Sequence, residues 1–252
     1  MLSRLLKSRR APAPLPTIPD GQRVYAIGDI HGRLDLLDDL IARIDADDSR
    51  RAPAETTIIV LGDLVDRGPE SAGVVDRLAE LAEDRGNLRF LKGNHEELFL
   101  SALDGDAKGL RMFARVGGRE TALSYGIDPI AYERADFGQL HALLIAAVPD
   151  RHAAFLRDFE DIIRIGDYTF VHAGIRPGVP LDEQSPRDLR WIREPFLSAR
   201  ETGGMIVHGH TITESPDEQA GRIGIDTGAY LHGILTALVL DGQERGFLQS
   251  AG

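Results

Sequence analysis

Three times in its first hundred residues the chain passes from a short β-branched or apolar run through a glycine-containing polar loop into a helical pattern. "RVYAI" (23 to 27) leads through "GDIHG" to "RLDLLDDLIARID". "TTIIVL" (56 to 61) leads through "GDLVDRG" to a segment opened by Pro69, and "LRFL" (88 to 91) leads through "KGNHE" to "ELFLSALD". Three βα units are the simple reading, with each polar motif just past a strand's carboxyl end, where open α/β sheets place their ligands. In the first helix Leu34, Leu37, Ile41 and Ile44 recur at helical spacing with acids on the opposite face. Pro69 suits a first-turn position in the second.

From about 107 to 158 the pattern is helical and poor in chemistry, which reads as an insert walling the site. Beyond it, "DIIRI", Gly166, Asp167 and "YTFV" read as a β-hairpin delivering "HAG". "MIV" before "HGHT", "RIGID" before "TGAY" and "HGILTALVLD" then read as short strands spaced as in an antiparallel sheet. The expected architecture is one domain over 22–252, two packed sheets with helices outside. The basic, Pro-rich residues 1–21 are expected to be a disordered or surface-lying tail.

Bulk properties remove several functions. No stretch approaches the roughly 20 apolar residues of a membrane span. With 40 acidic against 29 basic side chains the formal charge is −11, which repels nucleic acid, so an anionic substrate needs a local positive site. Cysteine is absent, which removes disulfides and thiolate ligands and fits a cytoplasmic location.

The polar residues at the strand ends are Asp29, His31, Asp63, Asp66, Arg67, Asn94, His95, His172 and His210. Mixed carboxylate and imidazole ligands suit Mn²⁺, Fe²⁺ or Zn²⁺, and a carboxylate such as Asp63 can bridge two ions about 4 Å apart. Asn94 offers only a neutral carbonyl oxygen.

In this order, "GDIHG", "GDLVDRG", "GNHE", "HAG" and "GHT" resemble the metal-dependent phosphoprotein phosphatases, in particular the bacterial and phage serine/threonine phosphatases of the calcineurin-like metallophosphoesterase superfamily. The likeness spans positions 28 to 233. It implies a four-layer α/β/β/α sandwich with two mixed β-sheets and two divalent ions, manganese first and iron or zinc as alternatives. One ion would be held by Asp29, His31 and Asp63, the other by Asp63, Asn94, His172 and His210. The resemblance makes His95 the proton donor to the leaving alcohol, oriented by Asp66. Two-metal chemistry then implies in-line attack by a bridging water, without a phosphoenzyme.

Arginine forks suit phosphoryl oxygens. Arg67 is the first candidate, and Arg193 in "LRWIRE" resembles a second phosphate-binding arginine of bacterial relatives. Lys92 stands where many relatives have arginine, keeping the charge without the fork. Arg176 and Tyr230 are further substrate-binding candidates. His208 is expected behind His210, packing or hydrogen-bonding a ligand, and Asp226 either orients a ligand histidine or forms a turn. Glu96 and Glu97 are accounted for by the positive end of a helix.

The substrate class implied is phosphoserine or phosphothreonine in proteins, or a small phosphate ester. A symmetrical dinucleoside tetraphosphate hydrolase is the alternative, and a non-catalytic metal-binding module a more remote one. "GDLVDRG" and "GNHE" favour the protein phosphatase side.

Overall fold

A computed structural model describes residues 15–200 and 202–250. The strands are β1 (Gln22–Ile27), β2 (Glu55–Val60), β3 (Leu88–Phe90), β4 (Ile163–Ile165), β5 (Tyr168–Phe170), β6 (Met205–His208), β7 (Asp217–Glu218), β8 (Arg222–Gly224), β9 (Thr236–Asp241) and β10 (Glu244–Gln249). The helices are α1 (Leu34–Asp48), α2 (Ser71–Arg85), α3 (Asn94–Leu103), α4 (Ala107–Val116), α5 (Gly118–Ser124), α6 (Pro129–Arg134), α7 (Phe137–Ala147), α8 (Asp150–Arg157), α9 (Pro186–Trp191) and α10 (Ala229–His232).

Two mixed five-stranded sheets result, in orders β10-β9-β1-β2-β3 and β4-β5-β6-β8-β7. The first carries the three βα units, whose β1, β2 and β3 pair in parallel. Its strands alternate faces with period two. Val24, Ala26, Ile59 and Leu61 pack toward Phe170, Val207, Ile223 and Ile225 of the second sheet. Tyr25, Ile27, Ile58 and Val60 pack toward α1, α2 and the helices that follow. Behind the second sheet Ile206 and Val171 meet Leu189, Ile192 and Phe196, so the fourth layer is the short α9 and the loop after it.

Three local expectations change. The strands after the hairpin are not an antiparallel set: β6 pairs in parallel with both β5 and β8, because the connections between them are long enough to cross back over the sheet. Helix α2 begins at Ser71 with Glu70 as its cap, so Pro69 stands ahead of it. The tail expectation fails at its inner end, where Ile18 is 1% exposed within the inter-sheet core. There the Ile18 N–H donates to the Gly242 carbonyl and the Asp167 N–H to that of Thr17; the apolar side chain and the paired backbone hold it down. The part of the tail over 1–14 lies outside the described residues.

Candidate metal centre

The loops after β1, β2, β3 and β5, with the turn after β6, converge on one edge of the sandwich. Backbone hydrogen bonds lock the first two: the N–H groups of Ile30 and His31 donate to the Asp63 carbonyl, and that of Gly32 to Leu64. Among the described residues, the non-glycine positions with positive φ are His31, Asp63, Asp66, Arg67 and His210. Left-handed backbone costs such residues on the order of 1–3 kcal/mol each and persists where surrounding contacts over-determine it. Every one of these belongs to the expected site.

Asp63 is central. Its Oδ1 accepts the His95 N–H at 3.0 Å, and Oδ2 faces the Nε2 atoms of His172, His31 and His95 at 3.4, 3.6 and 4.0 Å. Burial opposes its charge, but His172 and His95 outweigh burial and hold the carboxyl well below its usual range. Two groups of mutually close donor atoms share it: His31, Asp63 and His95, and Asp63, His172 and His210, each within 4.8 Å.

The imidazoles are set for ligation. The Nδ1 atoms of His31 and His172 lie 2.8 Å from the carbonyls of Val65 and Leu61 and donate to them, which turns each Nε2 lone pair inward. Asn94 Oδ1 lies 3.0 Å from His172 Nε2. His210 Nε2 is buried with no hydrogen-bond partner among the described residues. Burial pushes the His31 and His210 imidazoles down to about 3, so both are neutral, as a ligand must be. A buried orphan nitrogen, a lone pair facing two oxygens and a shared carboxylate fit divalent cations.

Asp29 is buried beside this set, 2% exposed, with both oxygens near the His210 N–H at 3.2 and 3.0 Å. Burial raises its pKa, as do the charges of Asp226 and Asp63. A side chain at Gly209 would put a Cβ 2.0 Å from Asp29 Oδ1, so any other residue there displaces this carboxylate. His95 rather than Asp29 falls into the first close group.

His95 Nδ1 is 2.6 Å from Asp66 Oδ2, and both residues are essentially inaccessible. Burial works against an imidazolium at His95, yet Asp63 and Asp66 together raise its pKa. The Arg67 guanidinium reaches Nε2 of both His31 and His95 at 3.1 Å and lies over the Tyr230 ring, 4.8 Å from its centroid. Tyr230 in turn meets the His31 ring edge-on at 5.2 Å.

The other candidates are spread wider. Arg193 donates to the His210 carbonyl at 3.3 Å and lines a cleft of about 650 Å³ with Arg176, Asp188 and Trp191. Arg176 is held there by two bonds to Asp188, at 2.8 and 2.6 Å. Lys92 is directed elsewhere: its ammonium donates to the Arg157 carbonyl at 2.9 Å, at the end of α8. His208 packs edge-on against Phe196, with ring centroids 5.0 Å apart. Strand β6 ends at His208, and His210 sits in the left-handed turn that follows. Asp226 accepts the Gly228 N–H at 3.0 Å, forming the turn reading of that residue.

Two residues with structural work at the site escaped the sequence reading. Glu96 is fully buried, and its carboxylate accepts the N–H groups of Asp63, Leu64 and Gly93 at 2.8, 2.7 and 2.9 Å. Helix polarity accounts for an acid in that turn but not for this cradle. Burial, then the charge of Asp63, pushes the carboxyl up to about 7 against the pull of those donors. Position three after a glycine cap was its only sequence signal. Thr121 of α5, whose hydroxyl donates to Asp66 Oδ1 at 2.6 Å, had none.

A family model described as calcineurin-like phosphoesterase matches residues 22–227. The chain belongs to that family. This calcineurin-like phosphoesterase is 27% identical over 234 residues to the asymmetrical bis(5'-nucleosyl)-tetraphosphatase PrpE of Bacillus velezensis, covering 83% of this chain and 86% of that protein. It is 29% identical over 186 residues to Shewanella-like protein phosphatase 2 of Arabidopsis thaliana, covering 61% and 46%. A solved structure provisionally assigned as a diadenosine tetraphosphatase superposes with a TM-score of 0.65 at 22% identity, covering 95% of this chain and 100% of the other, a likeness of fold. No helix among the described residues is long and apolar enough to cross a membrane.

Proposed function

We propose that this phosphoesterase hydrolyses phosphate monoesters, with phosphoserine and phosphothreonine in proteins as the substrate class, and that His95 protonates the departing alcohol. The observation that carries this reading is the buried His95–Asp66 pair at 2.6 Å, set beside the shared carboxylate Asp63. An alkoxide is a poor leaving group, so a positioned acid is worth most in ester cleavage. Asp66 accepts the Nδ1–H, so in the imidazolium the transferable proton sits on Nε2, the atom that faces Asp63 and that Arg67 must first release.

In this reading Asp29, His31 and Asp63 hold one divalent ion and Asp63, Asn94, His172 and His210 the other. Bound there, the ions would supply Lewis-acid neutralisation of phosphoryl charge and a nucleophile available at neutral pH. Arg67 and Arg193 grip phosphoryl oxygens, and Arg67 leaves its imidazole partners to do so. Tyr230 backs Arg67, and Arg176 borders the cleft that receives the leaving group.

A second reading, hydrolysis of a dinucleoside tetraphosphate, is favoured by the match to PrpE over most of both chains. A polyphosphate leaving group needs less protonation than an alkoxide. The test compares kcat/KM on phosphoserine peptides and on diadenosine tetraphosphate with Mn²⁺ present, each against an EDTA control. A preference for the peptide supports the first reading; one for the dinucleotide replaces it with the second, and inactivity on both removes both.

A further inference from the structure

The helical segment 107–157 looks chemically quiet, yet it reaches the reacting groups at one turn. The Arg67 N–H donates to the Gly117 carbonyl at 3.1 Å. One helical turn on, Thr121 lies against Asp66. Its hydroxyl accepts the Asp66 N–H at 2.8 Å and donates to Asp66 Oδ1 at 2.6 Å, while Asp66 Oδ2 serves His95. The Ser71 hydroxyl closes the set, 3.0 Å from both Thr121 Oγ1 and the Asp66 nitrogen. Thr121, Ser71 and Asp66 are all 0% exposed, so no solvent competes for these bonds.

Asp66 needs such help, because it holds a left-handed conformation with φ of 73°. A carboxylate can swing about its Cα–Cβ and Cβ–Cγ bonds, and a bond to one oxygen alone leaves the other free to turn. Thr121 pins the second oxygen and the backbone together. We propose that Thr121 is a positioning residue for proton donation, acting through Asp66 on His95, and that α5 thereby couples the helical segment to leaving-group departure. The proposal rests on the reading of His95 as the acid.

The test uses two aryl esters of similar shape, phenyl phosphate and p-nitrophenyl phosphate, whose leaving groups differ in their need for a proton. Thr121→Val keeps the side-chain shape and removes the hydroxyl, and is expected to lower kcat on phenyl phosphate about tenfold more than on p-nitrophenyl phosphate, with KM and metal content unchanged. Thr121→Ser restores the hydroxyl and should return the ratio of the two rates to that of the wild type. In the proton spectrum the far-downfield resonance of the His95–Asp66 hydrogen bond should shift in Thr121→Val and return in Thr121→Ser. An equal fall on both esters, or a fall tracking loss of metal, overturns the proposal. If Thr121→Val does not fold, Thr121→Ala takes its place under the same criteria. His95→Asn run alongside separates the two ideas: if it too fails to discriminate between the esters, the acid reading fails; if it discriminates and the Thr121 variants do not, only the positioning role is lost.

Discussion

Glu96 is the residue whose removal should do most damage without touching a reacting group. In Glu96→Ala the N–H groups of Asp63, Leu64 and Gly93, now bonded at 2.8, 2.7 and 2.9 Å, lose their acceptor in a place water does not reach. A hydrogen bond to a charged group is worth about 1.5–3 kcal/mol, and three would exceed 4 kcal/mol if independent. They share one carboxylate and one loop, and the loop relaxes, so the expected loss is about 3–5 kcal/mol, a large part of the roughly 5–15 kcal/mol that holds a domain together. Glu96→Gln grades the effect. Oε1 serves Leu64 at 2.7 Å and Val65 more loosely at 3.4 Å, while Oε2 serves both Asp63 and Gly93, so the amide will turn its nitrogen toward Leu64 and forfeit mainly that one short bond, about 1–3 kcal/mol. Urea denaturation of the metal-stripped proteins reads the stability. Atomic emission on the reconstituted proteins reads metal content, which should fall in the order wild type, Gln, Ala as the left-handed Asp63 loses its restraint. A Glu96→Ala protein within about 1 kcal/mol of wild type and fully loaded with metal would refute the cradle. A Gln variant as damaged as Ala would show that charge, not donor count, is what the loop requires.

Other substitutions test the remaining assignments. His95→Asn should keep both metals yet slow phenyl phosphate by about 10²–10⁴-fold, with a smaller effect on p-nitrophenyl phosphate; metal loss would instead make His95 a ligand, as its proximity to His31 and Asp63 allows. Asp63→Asn should lower the occupancy of both ions together in a metal titration, and loss of one alone argues against a bridge. Gly209→Ala should lower the occupancy of the ion assigned to Asp29, because its Cβ would fall 2.0 Å from Asp29 Oδ1 and push that carboxylate aside; full occupancy would mean that Asp29 is dispensable. Lys92→Ala should change kcat/KM by less than about threefold, since the ammonium is spent on the Arg157 carbonyl, and a larger rise in KM would return it to the phosphate.

The sequence by itself determined the three βα units and the order of the polar motifs, because strand periodicity and glycine-bounded loops are local and leave their mark within ten residues. "GDIHG", "GDLVDRG" and "GNHE" were therefore legible as strand-end loops, and their residues do meet, with Asp63 at the centre. The direction of β6 and β8, the burial of Ile18 and the partners of Lys92 were not legible, since each depends on segments far apart in the chain. The same holds for the supports of the site. Glu96 reads as an ordinary acid in a helix's first turn until β2 and α3 are packed and its carboxylate meets the N–H groups of Asp63 and Leu64, more than thirty residues away in the chain. Thr121 lies 55 residues from Asp66, and no pattern in α5 announces the contact. Chemistry-bearing side chains are chosen for type, and type is written in the sequence. The groups that hold them still are chosen for position, which only the folded chain defines.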